Sequence, residues 1–197
     1  MKNTIDPFEP GRPTTSGAPP WINIDIGKAP FNFLMTNEHI ITQKMIYKKE
    51  QIEIKYENKK KTLFIDLNDK ERIINDFLYL NIDAVIVQIL PKDDIKEDYF
   101  LLPNIEYLRG YEQFKNKSVY ILQYAAGGVL QCSSQIIKDI NLYTNELTHL
   151  SSTLGGSSGS PIILKGSTFV LGIHKQVHLK ESENVGNFIG PIIDALK

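Results

Sequence analysis

Apolar residues in this chain recur at period two, in short runs, and hardly anywhere at the period of a helix. Trp21-Ile-Asn-Ile-Asp-Ile26 and Gln51-Ile-Glu-Ile-Lys-Tyr56 alternate apolar with polar side chains, the pattern of a strand with one face buried. Residues 31–36, 62–66, 84–90, 118–124, 129–134, 162–164 and 169–174 read as further strands, with 136–140 and 141–147 as short strand or turn candidates. Turn signals separate them: Gly27-Lys-Ala-Pro30, the cationic Asn58-Lys-Lys-Lys-Thr62 and Ala125-Ala-Gly-Gly128. The expected class is all-β. Residues 68–80 stay open between one or two helical turns capped by Asn68 and an irregular connection. Residues 190–197 read as a short C-terminal helix with Pro191 in its first turn. Pro10, Pro13, Pro19 and Pro20 argue against helix or central strand in residues 1–20, which read as an irregular tail.

One stretch carries chemistry: Thr153-Leu-Gly-Gly-Ser-Ser-Gly-Ser-Pro161. As composition alone it is a flexible Gly/Ser linker. As a site it makes different sense. A serine that attacks a carbonyl must stand proud of a tight turn. A glycine two residues before it lets backbone N–H groups point inward as oxyanion donors. Ser158 is then the nucleophile, and the N–H groups of Gly156 and Ser158 form the oxyanion hole. Such a serine needs an imidazole base, held in its tautomer by a carboxylate. His39 follows an apolar strand and a short polar turn. Asp83 stands at the mouth of the buried strand Ala84-Val-Ile-Val87. The order along the chain is His39, Asp83, Ser158.

Leu34-Met-Thr-Asn-Glu-His39, Asn81-Ile-Asp-Ala-Val-Ile86 and Gly156-Ser-Ser-Gly-Ser-Pro161 together resemble the three motifs of chymotrypsin-like serine peptidases. Leu171-Gly-Ile-His174 resembles a strand of the staphylococcal-type glutamyl endopeptidases. The resemblance spans residues 33 to 174. It implies two six-stranded antiparallel β-barrels with the site in the cleft between them: residues 21–105 as the first barrel, and 106–197 as the second barrel with the C-terminal helix. It implies an endopeptidase working through an acyl-enzyme, with His39, Asp83 and Ser158 as the triad. It also implies a pocket lined by Thr153 and His174 that reads Glu or Gln before the cut, with Ser152, Gln176 and Val177 nearby. His149 and His178 find no place in that constellation and read as structural or surface residues. Zymogen-activated relatives carry Asp before the nucleophile; here Ser157 stands there, and no Ile-Val-Gly-Gly start is present. The oxyanion hole is then either preformed or ordered by an activating partner protein.

The remaining features bound the alternatives. A net charge of −1 excludes a global basic field for nucleic acid. No apolar run approaches the roughly 18 residues of a membrane span, and no hydrophobic signal core opens the chain. The single cysteine, Cys132, excludes an intrachain disulfide and suits a cytoplasmic protein, with a secreted form not excluded. Without H-E-x-x-H, paired cysteines or a phosphate loop, no metal or cofactor is expected. The Asn58–Thr62 tip and the charged stretch 91–98 read as solvated loops rather than an anion patch or a metal site. An α/β-hydrolase esterase would need the order Ser, Asp, His. The rival from another class is a catalytically silent, peptidase-like binding module. The partner common to both readings is a polypeptide.

Overall fold

The computed structural model describes residues 21–25, 30–56, 60–124, 128–150, 156–178 and 183–197. The first half contains β1 (Trp21–Asp25), β2 (Pro30–Thr36), the short helix α1 (Gln43–Tyr47), β3 (Gln51–Tyr56), β4 (Lys61–Asp66), β5 (Ile74–Asp76) and β6 (Val85–Gln88). The second contains β7 (Ser118–Gln123), β8 (Gln131–Asn141), β9 (Glu146–His149), β10 (Pro161–Leu164), β11 (Val170–His178), β12 (Glu183–Phe188) and the helix α2 (Gly190–Leu196). Turns of 3-10 helix, Ile105–Arg109 and Tyr111–Phe114 among them, lead from one half to the other.

Strands β7 to β12 close into an antiparallel barrel in the order β10-β11-β12-β9-β8-β7. The first half is less regular. Among the described residues its strands form a four-stranded sheet, β1-β2-β6-β5, and a separate hairpin, β3-β4. The alternation of side chains explains how this sheet is held. Trp21, Leu34, Val85 and Val87 belong to a core shared with Ile52, Ile54 and Ile65 of the hairpin. The intervening Ile22, Ile24, Phe33, Met35 and Ile86 belong to a second core, continuous with Ile121, Ile162, Ile173 and Phe188 of the barrel. With both faces covered, Phe33-Leu-Met35 of β2 and Val85-Ile-Val87 of β6 read in sequence as continuous apolar runs rather than as alternating ones.

The ambiguous stretch 68–80 is an irregular connection: it holds the short strand β5 and a 3-10 turn, Leu78–Leu80. The stretch 91–98 departs from expectation at Asp93, which is buried. Its Oδ2 accepts from Arg72 at 2.9 Å and from the Leu90 N–H at 2.7 Å, with side-chain exposures of 2% for Arg72 and 5% for Asp93. Arg72 also donates to the Gln88 carbonyl at 2.7 Å, tying the connection to the end of β6. The expected end helix is present; Pro191 starts it and Tyr107 holds it through a 2.7 Å hydrogen bond to Asp194.

Candidate active site

The register of two strands brings His39 and Asp83 together. β2 and β6 run antiparallel with Thr36 opposite Val85. The end of β2 and the start of β6 therefore lie at one edge of the sheet. His39 follows Thr36 in a turn whose Asn37 carbonyl accepts from the N–H groups of Ile40 and Ile41. Thr42 then caps α1. Asp83 lies just before β6. Its Oδ2 is 2.6 Å from His39 Nδ1, and its Oδ1 accepts the His39 backbone N–H at 3.1 Å. Asn37, fully buried, donates to the Asp83 carbonyl at 2.9 Å, so the two chain segments are fastened at backbone and side chain alike.

This arrangement fixes charge as well as position. Burial pushes the Asp83 carboxyl up, but the hydrogen bond and charge of His39, its backbone N–H and the charge of Lys175 together hold it below the usual carboxylate range. The His39 side chain is 44% exposed and that of Asp83 only 15%, so the imidazole faces the open side and the carboxylate stands behind it. With the carboxylate on Nδ1, Nε2 is left as the proton-accepting nitrogen.

Ser158 sits in a turn that opens β10. The Ser160 N–H donates to the Ser157 carbonyl at 3.1 Å, and the backbone has positive φ at Gly156 (88°) and Gly159 (81°). β11 grips the turn: Gly159 N–H donates to the His174 carbonyl at 2.9 Å, and His174 N–H to the Ser160 carbonyl at 2.8 Å. The first half grips it from the other side. A Cβ on Gly159 would lie 2.5 Å from Thr36 Oγ1, so only glycine lets the serine turn lie against the end of β2. The Ser158 turn is thus docked on the end of the strand that leads to His39. The Ser158 hydroxyl itself donates to the Lys175 carbonyl at 3.2 Å.

Behind the site, inside the barrel, His174 Nδ1 lies 3.3 Å from His149 Nε2. His149, which finds no place in the expected constellation, is the buried neighbour of His174, 0% exposed against 2%. Burial pushes His174 down to about 4, with the charge of His39 adding to it. Burial likewise pushes His149 down to about 3, with the charge of His174 adding. Both rings are therefore neutral near neutral pH, and one N–H is shared between the facing nitrogens. Thr153 and Ser152 lie outside the described residues, as do the side chains of Val177 and His178; Gln176 is exposed on β11. Among the described residues no group of His, Cys, Asp and Glu is arranged to hold a metal, and no helix is long and apolar enough to cross a membrane.

No family model matches the chain, and no curated protein matches it in sequence. Solved structures do match in shape. A serine endoprotease from Yersinia pestis superposes with a TM-score of 0.61 over 92% of this chain, at 16% identity. The Rv3671c protease in an inactive form gives 0.58 over 83%, at 16% identity. The HtrA-type protease AlgW with a decapeptide gives 0.58 over 83%, at 13% identity. The chain spans 64%, 77% and 48% of the lengths of those three chains. At such identities the likeness is one of fold, and the fold is the chymotrypsin-like one.

Proposed function

We propose that the chain is a serine endopeptidase that cleaves polypeptides through His39, Asp83 and Ser158. One observation carries this reading: the 2.6 Å His39–Asp83 contact forms at the strand end on which the Ser158 turn is docked. Ser158 Oγ attacks the scissile carbonyl while His39 Nε2 takes its proton. Asp83 holds the imidazole tautomer and stabilises the imidazolium. The N–H groups of Gly156 and Ser158 receive the oxyanion. His39 then gives its proton to the leaving amine, and water releases the acyl group by the same steps. With a single, exposed cysteine the protein needs no oxidising compartment, which suits the cytoplasm.

For specificity we infer a side chain ending in a carboxylate or carboxamide before the cut, read by His174 and Thr153. The His149 contact supports this. If His149 donates to His174 Nδ1, the other His174 nitrogen carries a proton and donates to a Glu or Gln oxygen; in the opposite tautomer it accepts from the Gln amide.

A second reading, a catalytically silent peptidase-like binding module, rests on the Ser158 hydroxyl donating to Lys175 rather than to His39. It differs from the first only in whether substrate, or an activating partner, turns the hydroxyl to His39. Digesting a peptide library with the wild type and S158A, read by mass spectrometry, separates the two. Cuts after Glu or Gln that vanish in S158A are expected. Serine-dependent cuts elsewhere would remove the specificity argument alone. No cuts and no labelling by a fluorophosphonate would leave the binding module.

A further inference from the structure

Asn37 lies two residues before His39 and is fully buried, yet its amide is only half satisfied. Nδ2 donates to the Asp83 carbonyl at 2.9 Å, while Oδ1 has no hydrogen-bond partner among the described residues. The end that faces a carbonyl must be the NH2, so the acceptor fixes which way the amide points. A buried amide with one end unpaired is costly to stability, so packing alone gives no reason for it. The acceptor supplies the reason. Asp83 is the centre of a three-residue turn in which the Ala84 N–H donates to the Ile82 carbonyl at 2.9 Å. The turn places Asp83 outside the ladders of β6, which begin with Thr36 opposite Val85 on one side and Asp76 opposite Val85 on the other. Its carbonyl therefore takes a donor from a side chain.

We propose that Asn37 is a positioning residue for the His39–Asp83 pair: its amide fixes the backbone of Asp83, and through it the direction of the carboxylate against His39 Nδ1. The role rests on the peptidase reading. Asp83 is gripped at three atoms by one turn. His39 takes the carboxylate, Oδ1 by its N–H at 3.1 Å and Oδ2 by its ring at 2.6 Å. Asn37 takes the carbonyl. With the two bonds from His39 alone, imidazole and carboxylate are free to pivot together about the Asp83 backbone; the third bond removes that freedom. Asn37 also shapes the turn that presents His39, since its own carbonyl accepts from the Ile40 and Ile41 N–H groups. The residue before it, Thr36, is the one against which Gly159 of the Ser158 turn lies. The backbone that anchors the amide is thus the backbone that meets the nucleophile turn. Misplacing a catalytic group by about 1 Å is enough to cost on the order of 100-fold in rate.

The test compares the wild type with N37L, which keeps the bulk and loses the donor, with N37A, and with R72K, which loosens the same half away from the site. Three quantities are read: the ring nitrogen-15 shifts of His39, which report its tautomer and its bond to Asp83; kcat and KM on a cleaved peptide; and urea unfolding. In N37L and N37A the His39 shifts should move toward the tautomer mixture of a free imidazole, and kcat should fall by about 10- to 100-fold with KM unchanged. R72K should lose stability and leave both where they are. The His39 shifts judge Asn37 whether or not any peptide is cleaved, so they stand even where the peptidase reading fails. If N37L does not fold, N37A decides alone. Wild-type His39 shifts in the Asn37 variants, an unchanged kcat, or equal displacements in R72K would overturn the proposal and leave Asn37 a structural residue.

Discussion

Two histidine pairs meet at this site, one from each half of the molecule, and they are built in opposite ways. His39 is 44% exposed on its open side and leans on a carboxylate. His174 is 2% exposed and leans on another imidazole. The first pair sets the imidazole against a carboxylate held below its usual range. The second keeps both rings neutral near neutral pH, because burial disfavours the charged form of each. One side chain type thus stands against a carboxylate in the first half and against a second imidazole in the barrel. The same division runs through the supporting structure. The first half is a sheet and a hairpin fastened by the buried Arg72–Asp93 ion pair, whereas the barrel closes on itself.

The comparison breaks most sharply at the first pair. S158A or H39A is expected to lower turnover by about 10⁶-fold, and D83N, which keeps the shape but loses the tautomer, by about 10⁴-fold; steady-state kinetics on a cleaved peptide reads both. Next in size is the ion pair of the first half. R72M leaves Asp93 buried without its partner and should cost about 3–5 kcal/mol in urea unfolding, while R72M with D93L should recover most of it. Equal losses in single and double variants would show that packing, not charge, fastens this half.

The barrel pair should announce itself through pH. Both rings have folded-state values below the ordinary 6.5, at about 4 and about 3. The unfolded chain therefore binds more protons below pH 6.5, and stability rises with pH across that window. The contribution is complete above about 6.5 and is lost as pH falls toward 4 and then 3. Asp83 is also lowered, so its contribution survives until pH falls below the usual carboxylate range. Thermal melts between pH 4 and 7 should flatten in an H149F/H174F double variant and stay sloped in D83N. Smallest is the seam between the halves. G159A forces a methyl against Thr36 Oγ1 at positive φ, and should cost about 1–3 kcal/mol and lower activity further by displacing Ser158. A G159A/T36A variant that regains activity would place the strain at that contact.

Much of the fold was legible because its strands announce themselves. β1 and β3 alternate, and Phe33-Leu-Met35 and Val85-Ile-Val87 are continuous apolar runs because both faces of the sheet are covered. The glycine and serine run marked the turn before β10. What stayed hidden is physical in origin. β12 reads Glu-Asn-Val-Gly-Asn-Phe, with no apolar period, yet every residue is buried between β9 and β11. β8 was split because Ser134 and Gln135 in its middle are polar and exposed, although it is one strand of 11 residues. α1 is a single turn, too short for periodicity, and only its Thr42 cap signals it. Which carboxylate of 91–98 would turn inward depends on Arg72, a partner far along the chain. The site divides in the same way. His39 and Asp83 could be paired from their places at strand ends. The His174–His149 and Lys175–Glu146 contacts depend on strands β9 and β11 being joined through β12, and on a bulge, neither of which a sequence displays.

The central claim is that Ser158 is a nucleophile activated by His39. It is tested most directly by treating the protein with a fluorophosphonate and mapping the adduct by peptide mass spectrometry. The account predicts one adduct, on Ser158, absent in S158A and formed at least about 100-fold more slowly in H39A. An adduct on another residue, a rate indifferent to His39, or no adduct at all would contradict it.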